Sequence, residues 1–284
     1  MSTKSMWRFV LMVSCELEVA REAAYEAGEV LRSKLNNLQN VEFKGDRDMV
    51  TEADKESERV VLRILRKEFP DYSILAEESG MVDAQIADSG RCSQMMWIVD
   101  PLDGTTNYAH GLPEFAVSIG LARDGVPVLG VVYNPIRDEM FWGKRGGGAY
   151  LNESQISVSG VMQIERSLLS TGFPYDIADS DADNLDHFRT FSKRAQAVRS
   201  FGSAALDLCR VACGRQDGFW EYELKPWDTA AGVVLVEEAG GKITDFWGGP
   251  WSIEGDSIVA SNPLIHAEMI DLLSRGKTGL GGVR

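Results

Sequence analysis

The run Met95-Met96-Trp97-Ile98-Val99 passes without a break into Asp100-Pro101-Leu102-Asp103-Gly104-Thr105-Thr106-Asn107. Five consecutive apolar residues read as a buried strand. The carboxylates that follow cannot stay in that environment unpaired. A strand that ends in a carboxylate puts that charge at the sheet edge, where loops build sites. Pro101 fixes φ and offers no N–H. Gly104 permits a sharp turn and close backbone approach. Asp100 and Asp103 can then converge, with the Leu102 carbonyl between them. Such a set of hard oxygens suits Mg²⁺. The spacing does not fit an EF-hand loop. Glu77, which ends the apolar run Ser73–Ala76, and Asp228 are candidates to complete it. Each has an ordinary explanation taken singly: strands end at water, and an Asp at a helix N-cap contributes about 1 kcal/mol without any catalysis.

The remaining pattern mixes helices and strands. Apolar positions from Leu17 to Leu35 fall at helical spacing. A second helix follows Thr51, with Thr51 and Asp54 in capping-box relation, and stops at Pro70. Phe115–Ala122 and Val126–Tyr133 flank the hairpin signal Arg123-Asp124-Gly125. Phe141-Trp142 and Ala149–Leu151 bracket a Gly-rich turn at Gly146–Gly148. Beyond about Ser159, Leu168–Ser170, Gly218–Tyr222 and Ile258–Ala260 read as strands. Leu185–Ala195, Ala204–Cys213, Asp228–Ala239 (with Asp228 as N-cap and Gly240-Gly241 as the stop) and Pro263–Leu273 read as helices. The fold class is α/β in the broad sense, mixed α+β. Residues 1–159 form an N-terminal α+β part and residues 160–284 a C-terminal α/β part.

Charge restricts the partners. The chain of 284 residues has 43 Asp+Glu against 29 Lys+Arg, a net charge of −14. That argues against a general nucleic-acid binder and against anionic lipid. An anionic substrate would need metal cations to invert the local field. No apolar run approaches a membrane span. Met6–Cys15 only loosely resembles an export signal, is interrupted by Arg8, and runs into a helical pattern. The four cysteines, Cys15, Cys92, Cys209 and Cys213, are too scattered for a disulfide framework, which points to a reducing cytoplasm. His110, His187 and His266 are scattered and read as structural.

At this point the residues carry a family resemblance. Trp97–Asn107 and Trp227-Asp228-Thr229-Ala230-Ala231-Gly232 resemble signature motifs of the inositol monophosphatase family, Mg²⁺-dependent, lithium-sensitive sugar phosphatases. Asp48–Asp54, Ala76-Glu77-Glu78-Ser79 and Gly202-Ser203-Ala204-Ala205 match further motifs in the family's order. The resemblance implies a layered αβαβα sandwich, usually a homodimer. It implies two to three Mg²⁺ ions. Glu77, Asp100, the Leu102 carbonyl and Asp103 would hold the first; Asp100, Asp103 and Asp228 the second; Glu77, through water, a looser third. Thr105 and Asp54 match the family's water-activating pair. The Gly104 and Thr105 N–H groups would receive the phosphate, and Gly202, Ser203, Ala204 and Glu221 would contact the polyol.

The implied activity is hydrolysis of inositol monophosphate and related sugar phosphates, small molecules, by water attack without a phospho-enzyme. The same chemistry on fructose 1,6-bisphosphate, histidinol phosphate or a 3′-phosphonucleotide is the alternative, and a non-catalytic metal-binding regulatory protein a further one. Two stretches depart from the family pattern: Lys44–Asp48, one residue shorter than in animal members, and the polar loop Met81–Gln94.

Overall fold

The computed structural model describes residues 3–35, 41–43, 49–84, 94–175, 177–178 and 183–275, with the side chains of 3–14, 41 and 43 left aside. Lys44–Asp48, Cys92 and most of the Met81–Gln94 loop lie outside them.

Helix α1 (Thr3–Lys34) buries Ala20, Ala23, Ala24, Ala27 and Leu31, one apolar stripe at helical spacing. The short strands β1 (Val41–Phe43) and β2 (Met49–Thr51) pair antiparallel and lead into α2 (Glu52–Glu68). The expected capping box is present. The Ala53 N–H donates to Thr51 Oγ1 at 3.1 Å, and the Thr51 N–H to Asp54 Oδ2 at 2.8 Å.

The first sheet contains β3 (Ser73–Ala76), β4 (Gly80–Val82) and β5 (Met95–Asp103). After the one-turn helix α3 (Thr105–Ala109) come β6 (Ala116–Arg123), β7 (Val126–Asn134), β8 (Glu139–Lys144), β9 (Gly148–Leu151) and β10 (Ser154–Gln155). Their order is β10-β9-β8-β7-β6-β5-β3-β4, antiparallel except for β3 with β5. Asp124 and Gly125 both take positive φ, 53° and 78°, as a two-residue type I′ hairpin requires.

The second half runs β11 (Leu168–Thr171), α4 (Leu185–Ser192), β12 (Ala197–Arg199), α5 (Ala204–Ala212) and β13 (Gly218–Tyr222). It ends with α6 (Pro226–Glu238), β14 (Lys242–Thr244), β15 (Ser257–Ser261) and α7 (His266–Ser274). The second sheet has the order β12-β11-β13-β15-β14. β11 is parallel to both β12 and β13, while β15 is antiparallel to β13 and β14.

Helices α1 and α2 cover the outer face of the first sheet, α5 and α6 fill the space between the sheets, and α4 and α7 cover the second. The layers are αβαβα. Helix α6 touches both sheets, so it is apolar nearly all round, with Thr229 to Val236 buried. It lies very close to the first sheet: a Cβ on Gly130 would stand 2.2 Å from the Ala231 carbonyl oxygen.

Two helix starts differ from expectation. Lys225, not Asp228, is the N-cap of α6, because Pro226 takes the first helical position; Asp228 stands third and its Oδ2 accepts the Lys225 N–H at 2.6 Å. Helix α7 begins at His266 rather than Pro263. Asn262 Oδ1 accepts the N–H groups of Leu264 and Ile265 at 2.9 and 3.3 Å, which holds those residues in a turn.

Candidate active site

Residues three apart in a regular strand face opposite sides of the sheet. Asp100 and Asp103 escape this because β5 bulges between them. Asp100 pairs with Ser118 and Asp103 with Ala116, so three steps on β5 match two on β6. Pro101 sits within the bulge, its carbonyl accepting from Ser57 Oγ of α2 at 2.7 Å. The Leu102 N–H donates to Asp100 Oδ1 at 2.9 Å. The bulge and these two bonds aim both carboxylates at one point.

Asp228 joins them from the first turn of α6. One carboxylate oxygen from each of Asp100, Asp103 and Asp228 lies within 4.8 Å of the others. Helix α5 supports Asp103 from behind: the Ala205 N–H donates to its Oδ2 at 2.9 Å, and Ser203 Oγ donates to the same oxygen. Gly104 follows at φ 96°, where a Cβ would meet the Glu114 carbonyl at 2.9 Å, so only glycine fits. Asn107 Nδ2 fastens α3 to both neighbouring loops through the carbonyls of Glu114 and Phe201, at 2.8 and 2.6 Å.

Thr105 Oγ1 lies 3.0 Å from Asp54 Oδ1 and 3.1 Å from the Leu102 carbonyl. The other oxygen of Asp54 accepts from the Thr51 hydroxyl at 2.6 Å and from the Thr51 N–H. Burial lifts Asp54 to about 6 against these donors.

Burial is also the first cause of every other shift in the site. It raises Asp103 to about 6, and Asp228 to about 8 with help from the Asp103 charge. It carries Asp100 well above the carboxylate range, with Glu77, Asp103 and Asp228 adding repulsion. Glu221 of β13 is raised well above its usual value too, by burial and then by Asp207 and Asp228. Carboxylates crowded this closely cannot all ionise without a compensating cation. Hard oxygens, short separations and excess negative charge fit a divalent ion.

These groups share a cavity of about 430 Å³. Glu77, Asp100, Leu102, Asp103, Gly104, Thr105, Glu221 and Asp228, all singled out in the sequence, line it. Glu77 is tied to β5 by its N–H to the Val99 carbonyl at 3.1 Å, but the tight carboxylate cluster does not include it. Asp54 lies behind Thr105. Gly202, Ser203 and Ala204 do not line the cavity; Ser203 reaches the site only through Asp103. Phe173, Pro174, Tyr175, Tyr222, Glu223, Leu224, Lys225 and Trp227 also line the cavity, none of them a site residue expected from the sequence. Trp227, adjacent to Asp228, was the available signal; Phe173–Tyr175 lie in irregular chain with no periodicity.

A family model described as the inositol monophosphatase family matches residues 12–277. The chain is 44% identical over 259 residues to an inositol-1-monophosphatase of Synechocystis sp., covering 91% of this chain and 88% of that protein. It is 42% identical over 252 residues to the Nus factor SuhB of Pseudomonas aeruginosa, covering 87% and 91%. The solved structure of inositol monophosphatase from Anabaena (Nostoc) sp. superposes with a TM-score of 0.84 at 45% identity, covering 94% of this chain and 98% of that one.

Proposed function

The chain belongs to the inositol monophosphatase family, phosphoric monoester hydrolases, and from that premise we propose that it hydrolyses inositol monophosphate and related sugar phosphates with Mg²⁺ as cofactor. The observation that carries this is the convergence of Asp100, Asp103 and Asp228 in one cavity with Glu221. Asp100, Asp103, the Leu102 carbonyl and Glu77 would hold one ion, and Asp100, Asp103 and Asp228 a second. Glu77 would steady a third through water. When bound, the ions supply charge neutralisation of the phosphate dianion, acidification of water and stabilisation of the leaving alkoxide.

The chain's own residues do the rest. Thr105 orients the attacking water and receives its proton as the Thr105 hydroxyl passes its own to Asp54 Oδ1. The Thr51 donors on the other oxygen keep Asp54 aligned for that transfer. The Gly104 and Thr105 N–H groups, at the start of α3, receive phosphate oxygens. Glu221 accepts hydrogen bonds from polyol hydroxyls. Ser203, and the helix start with Gly202 and Ala204, act through Asp103. The partner is a small molecule, and the chain works as a cytoplasmic homodimer. Among the described residues, no helix is long and apolar enough to cross a membrane.

The aromatic wall of Phe173, Tyr175, Tyr222 and Trp227 supports a second reading with the same chemistry, a nucleoside phosphate whose base lies against these rings. The Pseudomonas relative bears the name of a Nus factor. The complete carboxylate set and the Thr105–Asp54 pair favour an enzyme here over a purely regulatory protein. The test is phosphate release from inositol 1-phosphate, fructose 1,6-bisphosphate, histidinol phosphate and a 3′-phosphonucleotide, with and without Mg²⁺ and LiCl. Inositol phosphate should turn over fastest, only with Mg²⁺, and lithium should inhibit. Asp100→Asn should remove about three orders of magnitude in kcat. Equal turnover in chelator, or near-normal kcat for Asp100→Asn, would overturn the reading.

A further inference from the structure

Several arginines of this acidic chain are paired with carboxylates: Arg137 and Arg210 with Glu114, Arg145 with Glu237, Arg194 with Glu165 and Glu268, Arg215 with Glu139. Helix α2 departs from this. Lys55, Arg59, Arg63 and Arg66 recur at intervals of four, four and three, which puts them on one face. At 1.5 Å per residue the row spans about 16 Å. Lys55 pairs with Glu42 at 2.7 Å. Arg59, Arg63 and Arg66 make no ion pair among the described residues, and Arg66 Nε is buried without a hydrogen-bond partner. A chain of net charge −14 has carboxylates to spare, so three guanidiniums with no ion pair among the described residues, one turn apart on a helix where like charges repel, stand out against it.

The row is not on a flat surface. With Glu58, Leu62, Glu78 and Ser79 these four residues line a cavity of about 520 Å³, separate from the active site. Glu58 does not serve as their counter-ion in a direct pair. Its oxygens accept from the Glu78 N–H at 2.8 Å and from the Ser79 hydroxyl. The lining therefore carries four cationic groups against two carboxylates. Guanidinium forks match phosphate oxygens two at a time, and several in a row match adjacent phosphates. The volume suits a small molecule rather than a macromolecule. Among the described residues no aromatic ring lines the groove to stack a base.

We propose that the groove on α2 lined by Arg59, Arg63 and Arg66 binds a small anion carrying two or more phosphate groups. It is distinct from the catalytic site and independent of Mg²⁺. The active-site cavity, lined by six carboxylates and one lysine, repels such an anion unless cations are present. The α2 groove needs none.

That difference provides the test. Tripolyphosphate is titrated calorimetrically into the full chain at about 0.15 M NaCl, where weak surface attraction is screened, in metal-free buffer and again with Mg²⁺. One saturable site should appear without Mg²⁺, and it should raise the melting temperature. The variant Arg59→Gln/Arg63→Gln/Arg66→Gln should bind at least tenfold more weakly and lose that thermal shift. Its kcat on inositol phosphate should be unchanged and its own melting temperature no lower, since the substitutions relieve repulsion. Arg63→Lys, which keeps the charge and loses the fork, should fall between. Absence of saturable binding in metal-free buffer, or equal affinity in the triple variant, would overturn the proposal. Equally tight binding of hexaglutamate would overturn the assignment to phosphate.

Discussion

Thr105 has one hydroxyl hydrogen and two acceptors within reach, Asp54 Oδ1 and the Leu102 carbonyl. A group shared in this way can exchange partners as a proton moves, which is what a relay needs. Thr105→Ala should therefore lower kcat by about two to three orders of magnitude with little change in KM. Adding Asp54→Asn should cost little beyond the worse single change, and steady-state kinetics showing full additivity would separate the two residues. Glu221 depends on a glycine in the same residue-specific way. A Cβ on Gly172 would stand 2.0 Å from Glu221 Oε1. Gly172→Ala should therefore copy Glu221→Gln, raising KM for inositol phosphate while an aryl phosphate is hydrolysed nearly as before. Equal losses on both substrates would place Glu221 with the metal ligands or the fold. Glu77, Asp100 and Asp228 were legible in the sequence because each ends an apolar run or opens a helix, and Asp103 from the turn after Asp100; Glu221 followed only from the family resemblance. The bond from Ser203 to Asp103 was not, since it joins positions 100 residues apart and leaves no local trace.

The elements that hold these residues were legible where a run was long enough to have a period. Strands β3, β5, β6, β7 and β13 and helices α2, α5 and α6 fall close to their expected places. Strands β1, β2, β4, β12 and β14, three residues each, carry too few side chains for alternation to register. Helix α6 rests on the first sheet through glycine. Gly130→Ala would press a methyl group on the Ala231 carbonyl, at a cost of about 1–3 kcal/mol. It should lower the melting temperature and, by moving Asp228, also lower kcat. A destabilised variant of normal kcat would show that α6 yields without shifting its first turn. Helix α7 is held by His266, whose Nε2 lies 2.9 Å from Thr244 Oγ1 and whose Nδ1 lies 2.8 Å from Ser261 Oγ. Burial lowers this imidazole from 6.5 to about 4. Below pH 6.5 the unfolded chain takes up the proton more readily than the folded one. The stabilisation is thus complete above about pH 6.5 and lost as pH falls towards 4, up to about 3 kcal/mol. The raised carboxylates act in the opposite sense, so the measurement is the urea midpoint of wild type minus that of His266→Gln between pH 8 and pH 4. A difference independent of pH would contradict the shift.

Across the whole molecule, the site takes its groups from three consecutive layers: Glu77, Asp100 and Asp103 from the first sheet and its loops, Asp228 from the middle helices, Glu221 from the second sheet. The alternation of elements could be read from the residue pattern, whereas the stacking of α5 and α6 between two sheets followed only from the family resemblance, because an all-round apolar helix does not declare how many faces it meets. Mg²⁺ should raise the melting temperature, by the equivalent of about 2.7 kcal/mol at a hundred times its dissociation constant. Asp228→Asn should blunt that rise, and an unchanged melting curve with Mg²⁺ would refute cation binding at the cluster. The joint between the layers at this edge has a further property. Without a cation, carboxyl groups that cannot all ionise face one another across it and supply no attraction between the layers; a divalent ion would let them ionise together and draw the layers onto it. The short link from Tyr222 to Pro226, which connects the second sheet to α6, should accordingly be cut by a protease in magnesium-starved medium and resist it in replete medium. If magnesium is the ion held there, cohesion at this seam would be borrowed from the surroundings, and a cell short of magnesium would lose these molecules to degradation as well as their turnover.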